Sequence, residues 1–361
     1  YFSFVVCDPV ANFAAVSATT HTHDVIIIGT GLAGTVLSET LALQGLRVLV
    51  FDVAQKGSAS NVAAGMVNPI VLRRTVPSWR AGEMLAIAGA FYRDLEMRYD
   101  TTLWYPFSMA ALFPTAQEAG IWQRRLKDPE VAPFLGEEPS KDPAVLAMPQ
   151  PYAHGTVKRC ARLDVRKLIA MHRSRWLASG LLIEQRVDES DIHQLPDGVE
   201  VHGNTAPMLV HCKGPFSHSS GLVLVRGEGL TVRIPGLGLN TIVHRGVFIL
   251  PIGEDVYRVG ATFAWDKVWS GPTEEARHYL MDGLQRLITR PIEVLEHWAG
   301  VRPASSDRRP ILGRTGPHEA IFNGLGSRGV LLAPWCAQHL TDHLFKGVPL
   351  DPEVDLERFA E

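Results

Sequence analysis

Residues 24–52 read DVIIIGTGLAGTVLSETLALQGLRVLVFD. A β-branched run, Val25 to Ile28, meets Gly29-Thr30-Gly31-Leu32-Ala33-Gly34; a helical stretch follows, and a second apolar run, Val48 to Phe51, ends at Asp52. The pattern is that of one βαβ unit holding a dinucleotide. Gly29 permits the tight turn out of the strand, Gly31 lets backbone approach a pyrophosphate, and Gly34 lets the helix pack against the strand. The pyrophosphate sits at the helix N-terminus, beside Leu32 and Ala33, where unpaired N–H groups and the helix dipole favour negative charge. Val36, Leu37, Thr40 and Leu41 continue the helical spacing, and Gly45 is a natural stop. Asp52 follows Gly34 by eighteen residues, a spacing that suits an acid accepting hydrogen bonds from the adenosine ribose; its charge disfavours a 2′-phosphate. These residues leave FAD and NAD both open.

A chain of 361 residues can form one large or two interleaved domains. A net charge of −3 provides no overall basic field to capture nucleic acid. Cys7, Cys160, Cys212 and Cys336 form no CxxC pair and read as reduced thiols of a cytoplasmic protein. His21-Thr22-His23 lacks further ligands at metal spacing, so no metal site is expected. No run of eighteen apolar residues suggests a membrane span. Residues 1–22 are apolar, interrupted by Asp8-Pro9 and without a basic start, and read as an N-terminal extension.

Beyond Asp52, the small residues Ala63-Ala64-Gly65-Met66 suggest backbone lying against a flat ring. Helices are expected over 84–99, from Asp164 to Ser179, over 273–288 with Thr273 as N-cap, and from Pro334 onward. Met84, Ile87, Ala88, Phe91, Leu95 and Tyr99 share one face of the first, and Tyr279 faces inward on the third. Strands are expected over 181–183, 199–201, 209–212, 221–226, 229–234, 241–250, 256–263 and 296–302, the later ones separated by Gly and Pro. The organisation is α/β: a Rossmann-like domain (23–83, 153–214 and 300–361) interleaved with a β-rich, α+β substrate domain (84–152 and 215–299).

Residues 299–340 carry the second signal, AGVRPASSDRRPILGRTGPHEAIFNGLGSRGVLLAPWCAQHL. Arg302 follows a strand-like run, a rigid mount for a guanidinium that grips a carboxylate bidentately; a surface or core-bridging arginine is the equal alternative. Gly326-Ser327-Arg328-Gly329-Val330 feeds a helix start, which would stabilise negative charge developing on a bound ring. Reduced flavin carries such charge and a nicotinamide does not. Trp265 and Trp269 could line a substrate cavity or pack the second domain. His244 and Arg245 read as strand-end surface residues.

Together these stretches resemble the D-amino-acid oxidase superfamily, and within it the glycine oxidase and sarcosine oxidase-like enzymes. The matching pieces are DVIIIGTGLAG…VLVFD, ASNVAAGMV, GTVKRCARLDVRKL, VHCKGPFS, YRVGATF, AGVRPASSDRRPILGR and GSRGVLLAP, which span the chain from Asp24. The resemblance implies a two-domain flavoenzyme with non-covalent FAD, held by the residues above and by Gly214. Sarcosine oxidases attach flavin through a cysteine ahead of the P..G motif, and residues 303–310 contain none. Arg302 matches the family's substrate-carboxylate arginine and Arg328 a second arginine near the site. Phe248 stands where glycine oxidases place a tyrosine, which puts a strict glycine oxidase assignment in doubt. Lys267 lies seven residues after Gly260, like the oxygen-activating lysine of sarcosine oxidase; otherwise it is a solvated loop residue.

The expected function is oxidation of the C–N bond of a small amine or amino acid: hydride transfer to flavin N5, imine hydrolysis, and reoxidation by O2 to hydrogen peroxide. Arg302, Phe248 and Trp265 form the expected substrate set, and Arg302, Arg328 and Lys267 the catalytic one. A tRNA wobble-uridine-modifying oxidase and a flavin-binding protein without turnover are the alternatives. No membrane partner is expected, and a homo-oligomer stays open.

Overall fold

The computed structural model describes residues 21–360. The expectation for residues 1–20 of the extension, with Cys7, lies outside the described residues.

The βαβ unit forms as its pattern requires. Strands Val25–Ile28 and Val48–Phe51 are parallel neighbours, joined by the helix Leu32–Leu43. All eight strand residues are buried, because a parallel strand covered on both faces needs a continuous apolar run. Gly45 ends the helix in a left-handed conformation (φ +80°). A Cβ at Gly34 would overlap the Gly29 carbonyl, so close packing is its role. The unit centres a six-stranded sheet ordered Ile311–Arg314, Glu319–Asn323, Met208–His211, Val25–Ile28, Val48–Phe51 and Leu182–Ile183. Only the pair 311–314 with 319–323 is antiparallel.

The second sheet has nine strands. Its path runs Glu293–Ser305, Leu222–Arg233, Val256–Gly260, Val247–Gly253, Ile242–Arg245, Trp104–Leu112, His154–Leu163 and Met66–Val67, with Leu135–Gly136 also paired to 154–163. One face buries Leu230, Val232, Val247, Ile249 and Val259 against Leu280 and Leu284 of the helix Glu274–Gln285. Thr273 caps that helix, accepting from the Ala276 N–H at 3.3 Å. The opposite face carries a row of paired residues, Phe248, Gly260, Gly229 and Trp298. Paired residues share a face, so this row is turned away from the Leu280 helix.

Four local expectations are corrected. Strands expected at 221–226 and 229–234 are one strand, Leu222–Arg233, paired along its length with 293–305. Gly227 and Gly229 do not break it; a Cβ at either would overlap the Arg302 guanidinium or the Trp298 ring. The run 241–250 divides at Gly246 (φ +75°) into two strands. Tyr279 is 51% exposed rather than inward. The last helix starts at Gly329, not Pro334, and runs to Lys346. Pro334 lies inside it, where it cannot donate to the Val330 carbonyl one turn back. The buried Tyr92 hydroxyl donates to that carbonyl instead, at 3.0 Å. Tyr92 belongs to the helix Ala81–Tyr99, whose buried face includes Met84, Ala88 and Leu95, with Ile87 and Phe91 only partly covered.

Candidate functional site

A cavity of about 920 Å³ runs between the two sheets. Its first end is the glycine turn after Val25–Ile28. Gly29, Gly31, Leu32, Ala33 and Asp52 line it, while Gly34 lies behind in the helix. The Leu32 N–H at the helix start donates to Ser60 Oγ at 3.0 Å. Asp52 accepts from the Thr30 N–H at 3.0 Å and pairs with Arg173, which also donates to Thr30 Oγ1 at 2.7 Å and pairs with Glu184. The cation at the acidic end of the turn was not apparent in the sequence. Arg173 stands 121 residues from Asp52, beyond the end of the GTVKRCARLDVRKL run.

The middle is formed by Ala64, Gly65, Met66 and Gly214. Gly65 has φ +73°, and a Cβ there would overlap the Leu163 carbonyl. The small-residue run is therefore pressed against the strand 154–163, with its other side on the cavity. Asn323 Nδ2 donates to the Gly214 carbonyl at 2.9 Å, holding the second loop.

At the far end, Gly326, Ser327, Arg328, Gly329 and Val330 line the cavity at the start of the last helix. Arg302 and Phe248 line the same end from the nine-stranded sheet. Arg302 Nη1 donates to the Thr262 carbonyl at 3.1 Å, and the guanidinium stacks on the Phe263 ring at 4.6 Å. Arg328 Nη1 donates to the Asn68 carbonyl at 2.6 Å. Burial pushes both arginines down to about 10, which leaves them charged near neutral pH. Neither has a carboxylate partner among the described residues, and the only acids lining the cavity are Asp52 and Asp188. A partly buried cation without a counter-ion is costly, and an anionic ligand offsets that cost.

Two expected residues do not reach the cavity. Trp265 is 64% exposed and Lys267 is exposed; neither lines it. Trp269 does line it, stacked on Phe216 at 5.2 Å. His244 is corrected from a surface position to the cavity wall, where burial pushes its imidazole down to about 4. The available signal was its alternation with Phe248 on one sheet face, across the Gly246 turn. Cys160, Cys212 and Cys336 are free and buried, and burial pushes their thiols up.

Residues 24–343 match the family model described as FAD dependent oxidoreductase, DAO. The chain belongs to this family. It is 23% identical to glycine oxidase of Pseudomonas aeruginosa, over 91% of this chain and 96% of that one. It is 24% identical to the tRNA 5-methylaminomethyl-2-thiouridine biosynthesis bifunctional protein MnmC of Marinobacter nauticus, over 90% of this chain and 56% of that one. Against the bifunctional protein ThiO/ThiG of Nostoc the identity is 26%, over 89% and 52%. The chain thus spans about half the length of these two bifunctional relatives. Among solved structures, glycine oxidase from Geobacillus kaustophilus superposes with a TM-score of 0.72 at 22% identity, covering 94% of this chain and 98% of that one. Iminodiacetate oxidase from Chelativorans sp. gives 0.73 at 22%, covering 93% and 98%. These two likenesses are likenesses of fold.

The DAO family protein is an FAD-dependent oxidoreductase, and its cavity suits that cofactor. It has a helix N-terminus at each end, and between them the Ala64 to Met66 backbone, pressed against the strand 154–163 at Gly65, forms part of its wall. Gly31, Leu32 and Asp52 would hold the adenosine and pyrophosphate portion. Ala64 to Met66 and Gly326 to Val330 would flank the ring. Among the described residues no helix is long and apolar enough to cross a membrane.

Proposed function

We propose that the protein oxidises the C–N bond of a small amine or amino acid bearing a carboxylate, with O2 as the final electron acceptor. The observation that carries this reading is the half-buried Arg302 guanidinium, without a counter-ion among the described residues, at the ring end of an FAD-sized cavity. FAD, when bound, supplies the two-electron acceptor for amine oxidation.

The chain supplies binding and orientation. Arg302 has one nitrogen committed to the Thr262 carbonyl and keeps its other donors for a carboxylate. Phe263 holds the guanidinium plane from one side. Phe248, 8% exposed, lies over Gly260 and forms an apolar wall without the hydroxyl a tyrosine would offer. Arg328 provides a second cation at the same end, tied to Asn68. Fixing the carboxylate between such groups orients the α-carbon, and oriented reactants gain the entropy that free encounter would cost. His244 is neutral at working pH and adds no further positive charge to repel an amine.

The test offers the FAD-loaded protein glycine, sarcosine, proline and both enantiomers of common amino acids under air. Hydrogen peroxide formed with an equal amount of oxo acid or aldehyde supports the proposal. Full FAD occupancy with no turnover of any amine contradicts it, and would favour a flavin-binding role. A second reading, oxidation of an amine carried on tRNA, is favoured by the similarity to MnmC and by the exposed Arg73 and Arg74 on the hairpin turn beside the cavity. Salt-dependent binding of bulk tRNA that is lost in an Arg73→Gln, Arg74→Gln double variant would support it.

A further inference from the structure

Three consecutive carbonyls ahead of the flavin-facing segment are gripped from behind. Arg166, on the helix Val165–Ala178, donates from Nε to the Asn61 carbonyl at 2.6 Å and from Nη2 to Glu296 at 3.1 Å. Arg258, on the strand Val256–Gly260, donates from Nη1 to the Val62 and Ala63 carbonyls, each at 2.8 Å. Its Nη2 lies 3.8 Å from the other Glu296 oxygen, which also accepts from Thr231 Oγ1 at 3.1 Å. The Arg258 guanidinium lies over the Trp298 ring at 5.1 Å and is 6% exposed. One carboxylate thus fixes two arginines, one from a helix packed beside the six-stranded sheet and one from the middle of the nine-stranded sheet.

None of the three charged residues lines the cavity, whereas Asn61, Val62, Ala63 and Ala64 all do. In a planar trans peptide the N–H points opposite to the C=O. Pinning the Val62 and Ala63 carbonyls therefore turns the Ala63 and Ala64 N–H groups away from Arg258. Neither N–H has a backbone acceptor among the described residues. An unpaired N–H at a cavity wall is a donor awaiting a ligand.

We propose that Arg166, Glu296 and Arg258 are positioning residues that clamp these peptides so that the Ala63 and Ala64 N–H groups serve as fixed donors to the bound flavin. They act through the backbone and touch neither cofactor nor substrate. Fixed donors at a bound ring strengthen cofactor binding and bias its electronic state.

The test is the dissociation constant of FAD and the visible absorption band of the bound flavin, measured on variants of the full chain. Arg258→Met removes two carbonyl contacts and should weaken FAD binding about tenfold or more, with a shifted flavin band. Arg258→Lys, which can still reach one carbonyl, should recover part of both. Glu296→Gln and Arg166→Met should each weaken binding about two- to fivefold. Arg233→Gln, which breaks an exposed ion pair with Glu293 on the same strand pair, should change neither readout. If Arg258→Met does not fold, Arg166→Met and Glu296→Gln decide the matter, since both native side chains are partly exposed. An unchanged FAD affinity and flavin band in those two variants would overturn the clamp. So would a loss of thermal stability in Arg258→Met that is equal with and without FAD, with both flavin readouts at wild-type values.

Discussion

His244 carries the clearest pH signature of any single side chain at the site. Its folded pKa, about 4, lies below the unfolded value of about 6.5, so the unfolded chain takes up the proton first. Stability is therefore full above pH 6.5 and falls as the pH drops toward 4. The contribution is at most about 3 kcal/mol. Urea midpoints at pH 7.5 and 4.5 should fall further in the wild type than in His244→Gln; an equal fall in both would remove His244 from the account. Gly65 makes a steric claim at the same scale. Gly65→Ala forces a left-handed conformation on alanine and drives its Cβ into the Leu163 carbonyl. It should cost at least about 2 kcal/mol and empty the protein of FAD. A Gly65→Ala protein that retains the cofactor with a normal melting temperature would refute this. The places of Asp52 and Arg302 on the cavity wall were legible in the sequence, where chemistry and local pattern coincide. Arg173 and Arg258 were not, because their partners lie 121 and 195 residues away, and the YRVGATF run that holds Arg258 does not say what its side chain grips.

Among the elements, the last helix poses a sharp test. Pro334 leaves the Val330 carbonyl without its helical donor, and Tyr92 supplies one from the helix Ala81–Tyr99. Tyr92→Phe should therefore cost about 1–3 kcal/mol, as for any buried acceptor left unpaired. In a Pro334→Ala background the helix can close its own bond, and the same substitution should cost less. A double-mutant cycle on denaturant stability measures the difference, and strict additivity would contradict the pairing. Helix caps at Asp164 and Thr273 were readable because a cap is a contact over three residues. The long strand Leu222–Arg233 was not. A glycine that ends a strand and a glycine that makes room for Arg302 or Trp298 look alike until the partner strand is known. Pro334 misled for a related reason, since its backbone angle is helical in the first turn and the interior alike.

At the scale of the whole molecule, the cavity lies between two sheets and FAD would touch both. Cofactor binding is then linked to stability. Raising free FAD to a hundredfold over its Kd should stabilise the fold by about 2.7 kcal/mol, and stripping it should lower the melting temperature. A melting temperature independent of FAD would mean that the cavity does not hold it. The order of motifs gave the expectation of β-rich segments interleaved with the βαβ core, but not which strands pair: 66–67, 154–163 and 300–305, expected with the core, pair in the nine-stranded sheet. The course of the strand His154–Leu163, which pairs with both 66–67 and 104–112, depends on contacts that no local pattern specifies. The central claim joins the two sheets: the six-stranded side holds the cofactor while Arg302, from the other, holds the substrate carboxylate. The most direct measurement is anaerobic bleaching of the bound flavin by the best amino-acid substrate, in wild type and Arg302→Ala. The account predicts that the variant keeps its FAD while its apparent substrate affinity falls about a hundredfold, the loss of a charged bidentate contact. Bleaching of Arg302→Ala at wild-type substrate concentrations would contradict it.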